Sequence, residues 1–293
     1  MKPALRRAVL LGPATLWIGL FLVLPLTLMA YVSTLERGPS GGVLWDRHSA
    51  DAYLQFLFER DLMDRLVLNT DYLHIFARSI LLAGVTTLLT LAVGFPTALW
   101  MAFQSERLRL VLVFVVTVPF WTNILVRNYA WMLILRTGGT LDWLLTALHL
   151  PGPPLEILYT PWATGIGLTY SFLPYMILPI FVSLEKIDRR LIEAAYDLGA
   201  DRWRVLARVI LPLTAPGLAG GAILVFIPGL GAFISPELLG GAKSMMIGGL
   251  IQQQFGQSRN WPFGAALAFV LLAMVLLALW AHALRYRRER ADE

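Results

Sequence analysis

E-K-I-D-R-R-L-I-E-A-A-Y-D-L-G-A-D-R-W-R-V-L-A-R-V-I-L-P, residues 185–212, is a charged island between two long apolar runs. Asp188 is placed to cap a helix, its carboxylate accepting from backbone N–H groups that lack intrahelical partners. Leu191, Ala194, Ala195 and Leu198 then recur at i, i+3, i+4 and i+7, one apolar stripe of a short helix. Gly199 follows the stripe and suits the left-handed residue that ends a helix. Asp201 can cap a second helix, and Pro212 begins the next apolar run. Alanine in the stripe makes a shallow surface that another protein can approach closely. Glu193 and Asp197 lie off the stripe, free to meet basic groups. On these residues alone two readings stand: an amphipathic loop resting on a membrane, or a docking surface for a partner.

The flanks show what the island is attached to. The chain has 293 residues, of which 57% are hydrophobic and 15% charged; a soluble domain carries roughly 25% charged residues. Mean hydropathy is +0.66, and the few charges are too clustered to coat a water-exposed surface. There is no cysteine, which excludes disulfides, thiolate metal sites and a Cys nucleophile. About 20 mainly apolar residues are needed to cross a bilayer core. Six runs qualify: Val9 to Thr34, Ile75 to Phe103, Leu108 to Leu135, Pro161 to Leu184, Leu213 to Ser235 and Pro262 to Leu284. Backbone groups must find partners internally in lipid, so these runs are read as helices. The first follows Lys2, Arg6 and Arg7 but is longer than the roughly 7–15 residues of a signal peptide's apolar core and lacks an A-x-A site, so it is read as a retained span.

With six spans the loops alternate sides. One side holds the N-terminus, Arg107 and Arg109, the island, and the C-terminal arginines, together fifteen of the 24 basic residues. The other side includes residues 35–71, where Glu36, Asp46, Asp51, Glu59, Asp61, Asp64 and Asp71 face four arginines. The positive-inside rule then puts both termini and the island in the cytoplasm. It also accounts for the net charge of +5, which leaves no case for a nucleic-acid partner. The expectation is an all-α membrane protein, with 1–293 as a single transmembrane domain. Residues 35–74 form an extracytoplasmic loop in which Tyr53 to Phe58 is read as a short interfacial helix, and 185–211 is a cytoplasmic segment.

Glu193-Ala194-Ala195, three residues, Gly199, nine residues, then Val209-Ile210-Leu211-Pro212 resembles the EAA motif of ATP-binding-cassette (ABC) importer permeases, E-A-A-x3-G-x9-I-x-L-P. Val209 stands where that family prefers Ile, a conservative β-branched exchange. P-F-W-T-N-I-L-V-R-N-Y-A-W (119–131), F-L-P-Y-M-I-L-P-I (172–180), P-E-L-L-G-G-A-K (236–243) and N-W-P-F-G-A-A (260–266) are similar to the spermidine/putrescine-type permeases, and more narrowly to the first of the two membrane subunits of such a system. Relatives of this kind also handle other amines, opines or organic acids. The resemblance implies a type I ABC importer permease with six spans in a bacterial inner membrane. It also implies a second homologous permease, a dimer of ATPase subunits that binds ATP and Mg, and an external substrate-binding protein. The segment around Glu193, Ala194, Ala195 and Gly199, with Leu191 and Leu198, would then be the coupling helix seated in a groove on the ATPase. Closure of the ATPase dimer would open the pathway outward.

Other patterns are informative by their failure. No G-x-x-x-x-G-K-[ST] occurs, and Gly240-Gly241-Ala242-Lys243-Ser244 is a decoy because Ala242 stands beside the lysine. His48, His74, His149 and His282 are scattered, so no metal site is expected, and no catalytic constellation stands out. The apolar bodies of the spans hold no Asp or Glu, which speaks against a self-sufficient proton-driven transporter. Gly217 and Gly221 permit close helix packing. Pro96, Pro174 and Pro179 are candidate kinks or hinges. Pro228-Gly229-Leu230-Gly231 marks a broken fifth span, of the sort that lines cavities in transporters.

For a polyammonium substrate, a carboxylate with aromatic faces is the expected chemistry. Candidates for the pathway are Glu237, Trp121, Asn128, Tyr129, Tyr170 and Tyr175. The bland alternatives are an interfacial aromatic belt with a snorkelling Arg127, and a Glu237 that caps a loop or pairs with Lys243.

Overall fold

Apolar runs with internally satisfied backbones form helices throughout a computed structural model that describes residues 3–60, 66–148, 156–241 and 244–289. Lys243, Ala242 and His149 lie outside the described residues, as do Lys2, Asp61, Asp64 and Arg290 of the charge pattern. The chain divides into two compact units, one drawn from its two ends, up to His74 and from Leu250 onward, the other running from Ile75 to Gly249.

In the first unit, α1 (Pro3–Ile18) and α2 (Leu24–Ser33) join through a π-turn at Gly19–Val23 into one apolar helix. The loop that follows departs from expectation. It contains the hairpin β1 (Leu35–Arg37) with β2 (Val43–His48), a short α3 (Asp51–Leu54), and the pair β3 (Phe58–Arg60) with β4 (Leu66–Leu68), all antiparallel. The helix read at Tyr53 to Phe58 is therefore earlier and shorter, because Phe58 already belongs to a strand. Gly41 and Gly42, with φ of +90° and +79°, turn the first hairpin. The late helix α13 (Trp261–Glu289) packs on α2, α3 and β1.

The second unit starts inside α4 (Asp71–Ala102) and continues with α5 (Glu106–Trp121), α6 (Ile124–Leu135) and a short α7 (Thr140–Ala147). The run from Leu108 to Leu135 is not one straight span: the pair is bent by 92°. Pro119 occupies the last turn of α5, Thr122 turns extended, and the Asn123 side chain accepts from Leu125 N at 2.8 Å to start α6 afresh. Among the described residues five helices are long and apolar enough to cross a membrane, and the bent pair makes a sixth if taken as one.

Next come α8 (Pro161–Glu185), α9 (Arg189–Asp197), α10 (Arg202–Val205), a π-turn at Leu206–Ile210 and α11 (Leu211–Leu230). Pro96, Pro174 and Pro179 lie inside α4 and α8 without ending them. Pro212 opens no new span either, since helix continues from Arg202 to Leu230 through the π-turn. As the glycines there indicated, the fifth run breaks after Leu230, and a π-turn at Pro236–Gly240 follows. A last helix, α12 (Ile247–Phe255), precedes α13.

The core of this unit is the α8–α11 contact. Gly217 sits against Ser183 and the Pro179 carbonyl, and Gly221 against Met176. Absence of side chains at these points lets the backbones approach, which is how helices gain dispersion contact where lipid competes with apolar burial. Ala98, Met101, Met176, Ile177, Ile180, Phe181, Leu184, Val205, Ile210 and Val225 form the buried cluster around it.

Candidate functional site

The island forms a helix–turn–helix. The Asp188 carboxylate accepts from Arg190 N at 3.0 Å, and Asp201 from Arg204 N at 2.7 Å, so both N-caps are made as read from the sequence. Gly199 has φ +79°. Its N–H donates to Tyr196 O at 2.9 Å while Ala200 N–H donates to Ala195 O at 3.0 Å, the paired bonds of a Schellman cap. The apolar residues of α9 split between two faces. Ile192 and Ala195 pack on the core with Ile187 and Ala200. Leu191, Ala194 and Leu198 face outward, Leu198 at 88% exposure, with Glu193 also exposed. Ala195 is thus not on the outward stripe to which it was assigned. Trp203, 78% exposed beside the turn, extends the uncovered apolar edge; it escaped the sequence reading because it falls after the glycine, outside the stripe's spacing.

Beneath α9 the segment is braced. Arg109 pairs with Glu185 at 3.3 Å, linking α5 to α8, and the Arg189 guanidinium lies over the Phe103 ring at 5.8 Å. Ile192 and Arg189 of α9 line a crevice with Ala102, Phe103, Arg109, Leu184 and Glu185, at the ends of α4, α5 and α8.

Two of the pathway candidates, Tyr170 and Tyr175, contact the helices on either side of the bend. Tyr170 meets Trp131 edge-on at 5.5 Å, joining α8 to α6, and Tyr175 meets Phe120 at 4.7 Å, joining α8 to α5. Tyr129 is exposed, and Trp121 is 77% exposed with its ring edge-on to Phe114 of its own helix. Asn128 is 1% exposed: its amide donates to Ile124 O at 2.8 Å, and its Oδ1 has no hydrogen-bond partner. Glu237 is exposed on the π-turn, whose Pro236, Leu239 and Gly240 are buried. Gly167 on α8 makes the notch that receives Leu239, and Asn128 and Ser235 border the same notch. Asn128 is therefore brought to the segment that carries Glu237, whereas Trp121 stands apart on the open face of α5. Gly167 was not singled out from the sequence, since a glycine inside a helical run reads equally well as packing.

Apolar helices long enough to cross a membrane, joined by one polar segment with an exposed apolar edge, have the build of a multi-pass membrane protein. The chain belongs to the family described as the inner membrane component of binding-protein-dependent transport systems, the permeases of ABC importers, which matches residues 94–291. This is a family of non-enzymatic transport components. The spermidine/putrescine transport system permease protein PotB of Escherichia coli (strain K12) is 38% identical over 267 residues, covering 90% of this chain and 93% of that protein. PotB of Haemophilus influenzae is 37% identical over 266 residues, covering 91% and 89%. A chain from the crystal structure of a bacterial ABC transporter involved in the import of the acidic polysaccharide alginate shares the fold. Its TM-score is 0.72 at 17% identity, covering 97% of both chains.

Proposed function

We propose that this permease carries a short polyamine of the spermidine/putrescine class across a bacterial inner membrane. It would work with a second, homologous permease, two ATPase subunits that hold ATP and Mg, and an external substrate-binding protein. The observation that carries the substrate is the 38% identity over 90% of the chain to permeases named for spermidine and putrescine. In this reading 1–293 is one transmembrane domain. The segment 185–211 is cytoplasmic and offers Leu191, Ala194 and Leu198 to the ATPase, with Glu193 meeting basic groups there. Ala195 and Gly199 hold the shape of that surface. The loop 35–74 lies outside. Glu237 supplies the carboxylate of the pathway, and Tyr129, Tyr170, Tyr175 and Trp121 supply aromatic faces, with Asn128 fixing the π-turn.

The test is ATP-dependent uptake of labelled spermidine and putrescine by the four-component complex in proteoliposomes. Glu237→Gln keeps hydrogen bonding and removes charge, so uptake should fall about tenfold, in keeping with the loss of one charge-assisted contact. No polyamine uptake by the intact complex would overturn the substrate, and unchanged kinetics in the Gln variant would remove Glu237 from the pathway.

Orientation rests on the bias of basic residues and is read by single-cysteine labelling, for which the cysteine-free chain is suited. A membrane-impermeant maleimide should label Trp45→Cys on intact spheroplasts and Tyr196→Cys only after permeabilisation. The reverse pattern would invert the topology and remove the coupling role.

A further inference from the structure

We infer that the crevice beneath α9 is a headgroup site for an anionic phospholipid, with Arg109 and Arg189 holding its phosphate. The inference goes beyond transport and stands without it, since it needs only that α4, α5 and α8 lie in a membrane.

These three helices end together. α4 stops at Ala102, α5 starts at Glu106 and α8 stops at Glu185, and the Arg109–Glu185 pair ties the last two. The crevice they share with α9 is therefore at the edge of the apolar layer, the depth at which headgroups lie. An uncovered apolar face leads to it. Leu81, Val85 and Leu88 of α4, with Phe103 one residue past its end, are all exposed. At helical spacing the four fall within about 60° around the axis, and Phe103 also lines the crevice. An acyl chain laid along this face brings its headgroup in under α9.

Charge and size select the headgroup. The crevice holds Arg109 and Arg189 against one acid, Glu185. Glu185 is engaged by Arg109, whereas Arg189 has no carboxylate partner among the described residues and lies over the Phe103 ring. One positive charge is left over, the match of the single negative charge of a phosphodiester. The volume is about 50 Å3. At about 10–15 Å3 for each water, that is room for the four oxygens of a phosphate and too little for a nucleotide.

The first turn of α9 points the same way. It contains Arg189 and Arg190 and no acidic residue, so its charge opposes the positive end of the helix dipole. The Asp188 cap offsets part of this, and a phosphate beside Arg189 offsets more. Basic pockets between spans at the membrane surface accept lipid headgroups for these reasons. A zwitterionic headgroup would bring an ammonium among Arg107, Lys186 and Arg190, which outnumber Glu106 and Asp188 around the crevice, so the anionic class is favoured.

The test uses the full chain, extracted through a tag with the partners that accompany it, in micelles doped with labelled phosphatidylglycerol or phosphatidylcholine. Lipid retained through size exclusion is counted. The wild type should hold about one phosphatidylglycerol per chain above the phosphatidylcholine level. Arg189→Met keeps the stem and removes the charge, and should weaken retention about tenfold, as loss of one charge-assisted hydrogen bond does. Arg189→Lys should restore part of it. The fold is not at risk in these variants, because Arg189 is exposed and its charge works against α9. Equal retention of the two lipids by the wild type, or undiminished phosphatidylglycerol on the Met variant, overturns the inference. Excess inorganic phosphate separates the two sources of the anion. It should leave the lipid in place, because the acyl chains also hold it, and displacement by phosphate alone would overturn the assignment to lipid.

Discussion

Gly199→Val is expected to leave the permease in the membrane and to cut coupled transport about tenfold. Gly199 sits at φ +79°, and a Cβ placed there would meet nothing within 4 Å, so the objection is to the backbone and not to space. A left-handed conformation costs an L-residue about 1–2 kcal/mol, and a β-branched one more. The cheapest escape is to open the Schellman cap, losing the bonds from Gly199 N and Ala200 N. That releases Leu198 and re-aims α9 relative to Trp203, while every span is left untouched. ATPase recovered with the tagged complex should fall about tenfold, since about 1.4 kcal/mol suffices for that, and uptake should fall with it. Gly199→Asn is the control, because asparagine visits this conformation routinely; it should retain most of both activities. Full ATPase recovery and full uptake in the valine variant would show that the turn does not shape the coupling surface.

Gly217→Ala should damage the fold itself. A Cβ at this position would stand 2.6 Å from the Pro179 carbonyl oxygen and overlap the Ser183 side chain. Serine can be removed, but the carbonyl belongs to the backbone of α8. Overpacking of this kind costs about 1–3 kcal/mol and displaces helices, and here it acts where α8 and α11 are in closest approach. Combining Gly217→Ala with Ser183→Ala should therefore recover little. Gly220→Ala is the contrast, since its Cβ would meet nothing within 4 Å, and a helical Gly→Ala change is neutral or gains up to about 1 kcal/mol. Thermal stability of the detergent-extracted chain, followed by size-exclusion fluorescence, separates them. Equal melting temperatures for Gly217→Ala and Gly220→Ala would mean that the α8–α11 packing is not tight at Gly217.

What could be read without coordinates followed from the strength of each physical constraint. Spans were legible because lipid supplies no hydrogen bonds, so crossing demands long apolar runs, and the two aspartate caps and Gly199 were legible because each has one local purpose. The bend after Trp121 was not, because hydropathy averages across Pro119, Thr122 and Asn123 and sees a single apolar stretch. Three-residue strands such as Phe58–Arg60 carry too little alternation to announce themselves. In α9 the residues were right and one orientation was wrong. Leu191 and Ile192 are adjacent and both apolar, so spacing alone cannot say which turns inward, and Ala195 went with Ile192.

Val205 and Ile210 are both buried, at 1% and 6%, although they are five residues apart. In a regular α-helix that spacing would put them about 140° apart around the axis. The π-turn at Leu206–Ile210 absorbs the difference and brings both to the same side, in line with Thr214 and Gly217 below. It acts as a phase correction between two helical registers, one set by the helix–turn–helix and the other by the packing of α11 on α8. Excising a single residue from this turn would straighten the helix and rotate everything before it by about 100°, carrying Trp203 and the cap at Asp201 off the face they now share with α9. The extra residue is thus what allows one continuous rod to answer to two surfaces at once.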